Sequence, residues 1–291
     1  MNKNMTPEAG AWLSIGAYIG LSVIKLIVGY IANSQALRAD GLNNLSDIVV
    51  SAAILIGLKI SKKPRDHNHP YGHSRAEHIS SLVAAFLMMF IGMEVLIEGF
   101  YSIVHFKKEA PEWLAAWTGG FSALVMLGVY AFNRRLAKQT KSQAMEAAAK
   151  DNLSDALVSI GTVIGIIGAQ FQLFWFDPLA AIIVGIMICK TAWEIFSETS
   201  HMLTDGFDEH ILNEYKKEIA LVQGVKKVAD VKARMLGNEI ILDVTIQVDP
   251  QLNVVKSHEI ADRIEAMMKE QHNIQTTHIH VEPAVHVPKR S

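Results

Sequence analysis

Four short polar side chains stand out because they lie where such groups are costly. Asn43 and Asp47 are four residues apart in the run Asp40-Gly-Leu-Asn43-Asn44-Leu-Ser46-Asp47, and Asp151 and Asp155 repeat that spacing in Asp151-Asn152-Leu-Ser154-Asp155. Both runs fall within long, mainly apolar stretches, and a spacing of four puts each pair on one face of a helix. Two helices that each present two oxygen-bearing side chains can close four ligands around one cation. Three aspartates and one asparagine carry −3 when ionised. A divalent cation offsets most of that charge and protons offset the rest, so such a site can exchange one for the other, as antiport requires. An acid at the centre of a membrane span costs about 2.5–3.5 kcal/mol on insertion scales. Two matched pairs at that cost are poorly explained as helix caps or as the wall of a crevice.

The elements that must position them are membrane helices. The chain has 291 residues, 50% of them hydrophobic and only 19% charged, with a mean hydropathy of +0.22, whereas soluble domains carry about 25% charge. A net charge of −2 offers no basic excess for nucleic acid. A single cysteine, Cys189, excludes an intramolecular disulfide and a Cys-rich zinc or iron–sulfur site. With a window of about 20 apolar residues, spans fall near residues 11–32, 37–60, 78–104, 113–132, 144–170 and 177–196. The first is too long, and too polar at Ser22 and Lys25, for a signal peptide, and reads as a retained helix. Counted along the second and fifth spans, the four side chains lie about 9–17 Å from the helix starts, near the middle of the bilayer.

Lysine and arginine in short loops set the orientation. The second-to-third connection holds Lys59, Lys62, Lys63, Arg65 and Arg75, and the fourth-to-fifth holds Arg134, Arg135, Lys138 and Lys141; the alternate connections hold only Arg38, Lys107 and Lys108. The expectation is a multi-pass protein of the cell membrane with both termini cytoplasmic. Residues 1–204 would form the six-helix domain, 205–285 a soluble domain and 286–291 a tail. In the soluble part, 209–222 and 254–270 have helical periodicity, while 225–236, 239–248 and 274–281 read as strands, with Gly237-Asn238 as a turn signal. The order helix–strand–strand–helix–strand predicts a three-stranded sheet with two helices on one face. About 80 residues is near the lower limit for a stable core, so pairing with a second copy, a homodimer, is expected.

With Asn43-x-x-x-Asp47, Asp151-x-x-x-Asp155 and the segment Asp66-His-Asn-His69-Pro-Tyr-Gly-His73-Ser-Arg-Ala-Glu77 in hand, the chain resembles the cation diffusion facilitator family over residues 11–283. The resemblance implies six membrane helices followed by a cytoplasmic α+β ferredoxin-like (αββαβ) domain, divalent-metal/proton antiport, and a transport site made of Asn43, Asp47, Asp151 and Asp155. Zinc-transporting members usually place histidine first in the fifth-span motif, where this sequence has Asp151. Oxygen ligands suit harder cations such as Mn²⁺, and imidazole suits Zn²⁺ and its neighbours. The set looks like that of the manganese-exporting branch, with Zn²⁺, Fe²⁺ and Co²⁺ as alternative cargoes. No G-x-x-x-x-G-K-[ST] is present, which leaves the proton gradient as the expected energy source.

The same resemblance assigns a second metal to Asp66, His69 and His73, a donor set suited to Zn²⁺ as well, and a charge pair linking the two domains to Arg75 and Asp205. In the tail, His278, His280 and Glu282 alternate along one strand and share a face. Family members bind metal through positions matching His258, His280 and Glu282, but Ala229 and Thr245 stand where those members often carry histidine, so a tail site would be incomplete. Lys25 and Glu94 fall at comparable depth and could pair; Glu98 reads as a rim residue, and Asp40 as a side chain that wets an access path. The rival from another class, an intramembrane metalloenzyme, lacks H-E-x-x-H.

Overall fold

The computed structural model describes residues 7–105, 110–140, 143–237 and 239–284. The expected turn residue Asn238, the loop charges Lys107, Lys108 and Lys141, and the end segment 286–291 lie outside the described residues. Lipid offers the backbone no hydrogen-bond partners, so a chain crossing it must satisfy its N–H and C=O groups within each segment. The apolar runs are accordingly helical: α1 (Pro7–Ile31), α2 (Gln35–Ser61), α3 (Ala76–Val104), α4 (Trp113–Thr140), α5 (Gln143–Gln170) and α6 (Phe176–Leu203). All six are long and apolar enough to cross a membrane. The helices outrun the sequence expectation mainly at the polar ends of α4 and α6. The chain divides into two compact units, residues 1–55 with 83–196, and residues 56–82 with 197–291.

In the first unit the helices approach through small side chains, as membrane helices do without a hydrophobic drive between them. A Cβ on Gly119 of α4 would sit 2.7 Å from the Val163 side chain of α5, and one on Gly92 of α3 would sit 2.6 Å from Cys189 Sγ of α6. Ala32, Ala36, Leu37, Ala115, Ala116 and Ile166 form one fully or nearly buried cluster. Ile19, Val23, Ile27, Phe86, Phe90 and Ile97 instead point outward, an apolar surface that suits acyl chains. The α1–α2 turn closes through Asn33 in the left-handed region, φ 54°. Ser34 then caps α2: its hydroxyl accepts the Leu37 N–H at 3.1 Å and donates to Asp177 Oδ1 at 2.6 Å. Asp177 Oδ2 accepts the Gln35 N–H at 2.7 Å, so an acid at the start of α6 serves the positive N-terminal end of α2.

The second unit contains α7 (Glu209–Ala220), β1 (Lys227–Leu236), β2 (Glu239–Val248), α8 (Val254–His272) and β3 (Thr276–Pro283). The sheet order is β1-β2-β3, with β1 antiparallel to β2 and β2 parallel to β3. A parallel pair needs a crossover, which α8 supplies. Leu242, Val244, Ile246 and Val248 alternate along β2 and join Tyr215 and Ile219 of α7 and Ile260, Ile264 and Met268 of α8 in a single core, so both helices cover one face as expected. Asp208 caps α7 by accepting from the His210 and Ile211 N–H groups, and Asn253 caps α8 by accepting from Lys256 N–H. Strand β1 begins two residues later than its β-branched run suggests, after Gly224 turns the chain at φ 101°. Its register shifts between Val228 and Asp230, a bulge at Ala229.

Candidate metal centre

Helices α2 and α5 bring the two four-spaced pairs to one place. Asn43, Asp47, Asp151 and Asp155 line a single cavity of about 400 Å³ together with Tyr18 of α1. Asp155 is buried, Asn43 and Asp47 are partly buried, and Asp151 is exposed. Asn43 Nδ2 donates to Asp155 Oδ1 at 3.2 Å, so the two helices touch through their site residues and the Asn43 carbonyl oxygen remains as the donor for a cation. Asp47 Oδ2 is buried and has no hydrogen-bond partner. A buried carboxylate oxygen left open in this way fits a cation that completes it. All four donors are oxygens.

Tyr18 is a site residue that the sequence reading passed over. Its hydroxyl donates to Asp155 Oδ2 at 2.7 Å and accepts from Asn152 Nδ2 at 2.9 Å. Asn152 Oδ1 in turn accepts from Ser14 Oγ at 3.2 Å and from Asn133 Nδ2 at 2.8 Å. Side chains from α1, α4 and α5 thus fix the orientation of one carboxylate, as outer partners do for metal ligands. The signal was present in the sequence: Ser14, Tyr18, Ser22 and Lys25 make a polar stripe at helical spacing through an otherwise apolar span. The Tyr18→Phe change keeps the ring and removes only the hydroxyl. It is expected to weaken metal binding by roughly 10–100-fold, the range for lost outer partners, as a rise in KM for metal flux. An unchanged KM would show that Tyr18 is only packed there.

Lys25 is fully buried, and its partner is Asp40 rather than Glu94: Nζ lies 2.9 Å from Asp40 Oδ1, and both side chains are 0% exposed. Asp40 therefore wets no access path. Glu98 pairs with Arg38 at 2.6 Å, and Lys190 pairs with Glu194 one turn along α6 at 3.7 Å.

In the second unit, Asp66, His69 and His73 gather one ligand atom each within 4.8 Å of one another, and they are the only such group of three among the described residues. His69 Nδ1 is 2.9 Å from Asp66 Oδ1 and His73 Nε2 is 3.4 Å from Asp66 Oδ2. The His69 side chain, joined by the Asn68 and His69 N–H groups, holds the exposed Asp66 carboxyl below its ordinary range. Arg75 donates to Asp205 Oδ1 at 2.8 Å. The tail candidates do not gather within one chain. His258 faces Asp262 on its own helix at 3.5 Å, and His280 lies 3.8 Å from Glu282. His280 is paired in register with Thr245, and Ala229 is taken up by the bulge in β1.

Two family descriptions match most of the chain. The cation efflux transmembrane domain matches residues 11–204, and the cation efflux protein cytoplasmic domain matches residues 207–284. The chain belongs to the cation efflux family. Over 276 residues, covering 95% of each chain, this cation efflux protein is 54% identical to the manganese efflux system protein MneS of Bacillus subtilis (strain 168). It is 29% identical over 94% of its length and 95% of the relative's to the manganese efflux system protein MneP of the same organism. Its tail is similar to the solved structure "MamM CTD - Copper form", at 29% identity and TM-score 0.26, over 26% of this chain and 76% of that one. Membership makes the protein a metal-ion efflux transporter and not an enzyme, so the intramembrane metalloenzyme reading falls. The six apolar helices and the small domain with a three-stranded sheet are those the family resemblance implied.

Proposed function

We propose that the protein exports Mn²⁺ from the cytoplasm in exchange for protons, by alternating access around Asn43, Asp47, Asp151 and Asp155. The observation that carries this reading is the convergence of four oxygen donors from α2 and α5 on one cavity with no imidazole among them, a set that favours Mn²⁺ over softer cations. The likeness to two manganese efflux proteins points the same way. Metal enters from the end of the cavity lined by Ser51, Thr191 and Ile195, which the loop charges make the cytoplasmic end. It displaces protons from Asp47, Asp151 and Asp155. The bundle then rocks so that the site faces outward, where protons return and the metal leaves.

In this reading the protein is a homodimer in the cell membrane with both termini inside. Residues 1–204 span the membrane, residues 205–285 form the cytoplasmic domain, and 286–291 are an extension. Asp66, His69 and His73 form a second metal station, open to Zn²⁺ as well as Mn²⁺. The Arg75–Asp205 pair braces the base of α3 against the end of α6, and His258, His280 and Glu282 add a tail site only when a second copy completes it. The test is flux in proteoliposomes with a pH-sensitive dye inside. Mn²⁺ uptake is expected to raise the internal pH, and an imposed outward proton gradient is expected to drive it. Robust Zn²⁺ flux with none for Mn²⁺ would overturn the cargo, and Mn²⁺ movement without proton movement would overturn the coupling.

A further inference from the structure

One turn beyond the four ligands lies a second polar layer that the transport cycle as described does not use. Lys25 of α1 is 0% exposed, and its ammonium has three donors. They go to Asp40 Oδ1 at 2.9 Å, Asn44 Oδ1 at 2.7 Å and Ser159 Oγ at 3.0 Å. Asp40 and Asn44 precede Asp47 on α2, and Ser159 follows Asp155 by four residues on α5. The layer therefore sits on the same helix faces as the ligands, shifted towards the α1–α2 turn. The cavity extends the other way, where Ser51, Asp151 and Thr191 are exposed. Asp40, Asn44 and Ser159 are each 0% exposed, so this end of the site is shut.

Two features separate the layer from an ordinary structural ion pair. The first is its span, since a single cation joins the two ligand-bearing helices from a third. The second is its spare capacity. Asp40 Oδ2, Asn44 Nδ2 and Thr162 Oγ1 are buried with no hydrogen-bond partner, although buried polar groups are nearly always paired. Once the ammonium lets go of one helix, Asp40 Oδ2 and Thr162 Oγ1 can accept from water or hold a departing cation, and Asn44 Nδ2 can donate to water.

We propose that Lys25 is a positioning residue for transport: its ammonium clamps α2 to α5 one turn beyond the metal centre and keeps that end closed until the cycle turns outward. The proposal rests on the four-ligand reading of the site. Release of Ser159 lets α2 and α5 part while Lys25 stays bound to Asp40 and Asn44 on α2, so no unpaired charge is left in the membrane interior. Ser22, 3% exposed, lies on α1 between Tyr18 and Lys25, and its hydroxyl donates to Gly41 O of α2 at 3.0 Å, beside Asp40.

The test uses the full-length protein with its single cysteine removed (Cys189→Ala), reconstituted and treated with a membrane-impermeant maleimide from either face. A Ser51→Cys variant should label from one face, which marks the open end. A Ser22→Cys variant should label from neither. Combining Ser22→Cys with Lys25→Met and Asp40→Asn, which removes both charges together, should raise labelling from the face opposite to the Ser51→Cys face by about tenfold or more, a shift of population towards the open form. Unchanged labelling in a folded protein overturns the clamp. Should the double charge removal prevent folding, Ser159→Ala removes only the α5 arm and must raise labelling from the same face; no rise there overturns the clamp equally. The underlying site is checked separately with Asp155→Ala. Normal Mn²⁺ binding by that variant removes the four-ligand reading, whereas lost binding together with unchanged Ser22→Cys labelling removes the clamp alone.

Discussion

Asp155→Ala is expected to abolish Mn²⁺ flux, and Asp47→Ala to do the same, with the helical fold retained. Asp155 is where the site's contacts meet: Asn43 and Tyr18 each hold one of its oxygens. Asp47 brings the buried oxygen that has no other partner. In the proposed site, loss of either would remove a direct donor and one of three negative charges. The loss should therefore exceed the roughly 10–100-fold that follows from altering outer partners alone. Folding should survive, because an acid inside a span is a cost that the substitution relieves. Radioactive Mn²⁺ uptake into everted vesicles measures the flux, and helical circular dichroism with size-exclusion elution measures the fold. Normal transport by either variant would place the site elsewhere.

The second large effect concerns which ion is carried. Asp151 is the exposed member of the four, so an imidazole can replace its carboxylate without repacking the core. Asp151→His exchanges a hard oxygen donor for a nitrogen that Zn²⁺ prefers. The ratio of Zn²⁺ to Mn²⁺ flux should rise by about tenfold, equivalent to ~1.4 kcal/mol of preference at one ligand. Competition between the two metals in the same vesicles reads that ratio directly. A ratio that stays put would mean that selectivity is set outside these ligands, at the loop cluster or by cavity shape.

Both predictions rest on features that were legible in the sequence for a physical reason. Helical periodicity and the cost of polar groups in lipid are strong, local constraints, so the sequence picks out Asn43, Asp47, Asp151 and Asp155, which line one cavity, as it does the six helices and the αββαβ domain. Pairing across helices is not local, which is why Lys25 could be placed at the depth of Glu94 while its partner is Asp40, fifteen positions along on the next helix. Tyr18 was hidden because an aromatic ring within an apolar span reads as packing; only its place in the Ser14–Lys25 stripe set it apart. The bulge at Ala229 and the end of β1 depend on cross-strand register, which turn residues hint at but do not fix. The grouping of residues 56–82 with the tail was equally out of reach, since hydropathy assigns the ends of α2 and α3 to the membrane.

The most direct measurement is the position of the ion itself. An anomalous difference map, collected at the manganese absorption edge from crystals grown with Mn²⁺, should show a peak between α2 and α5 in contact with oxygens of Asn43, Asp47, Asp151 and Asp155. Manganese found only at Asp66, His69 and His73, with nothing between those helices, would contradict the account.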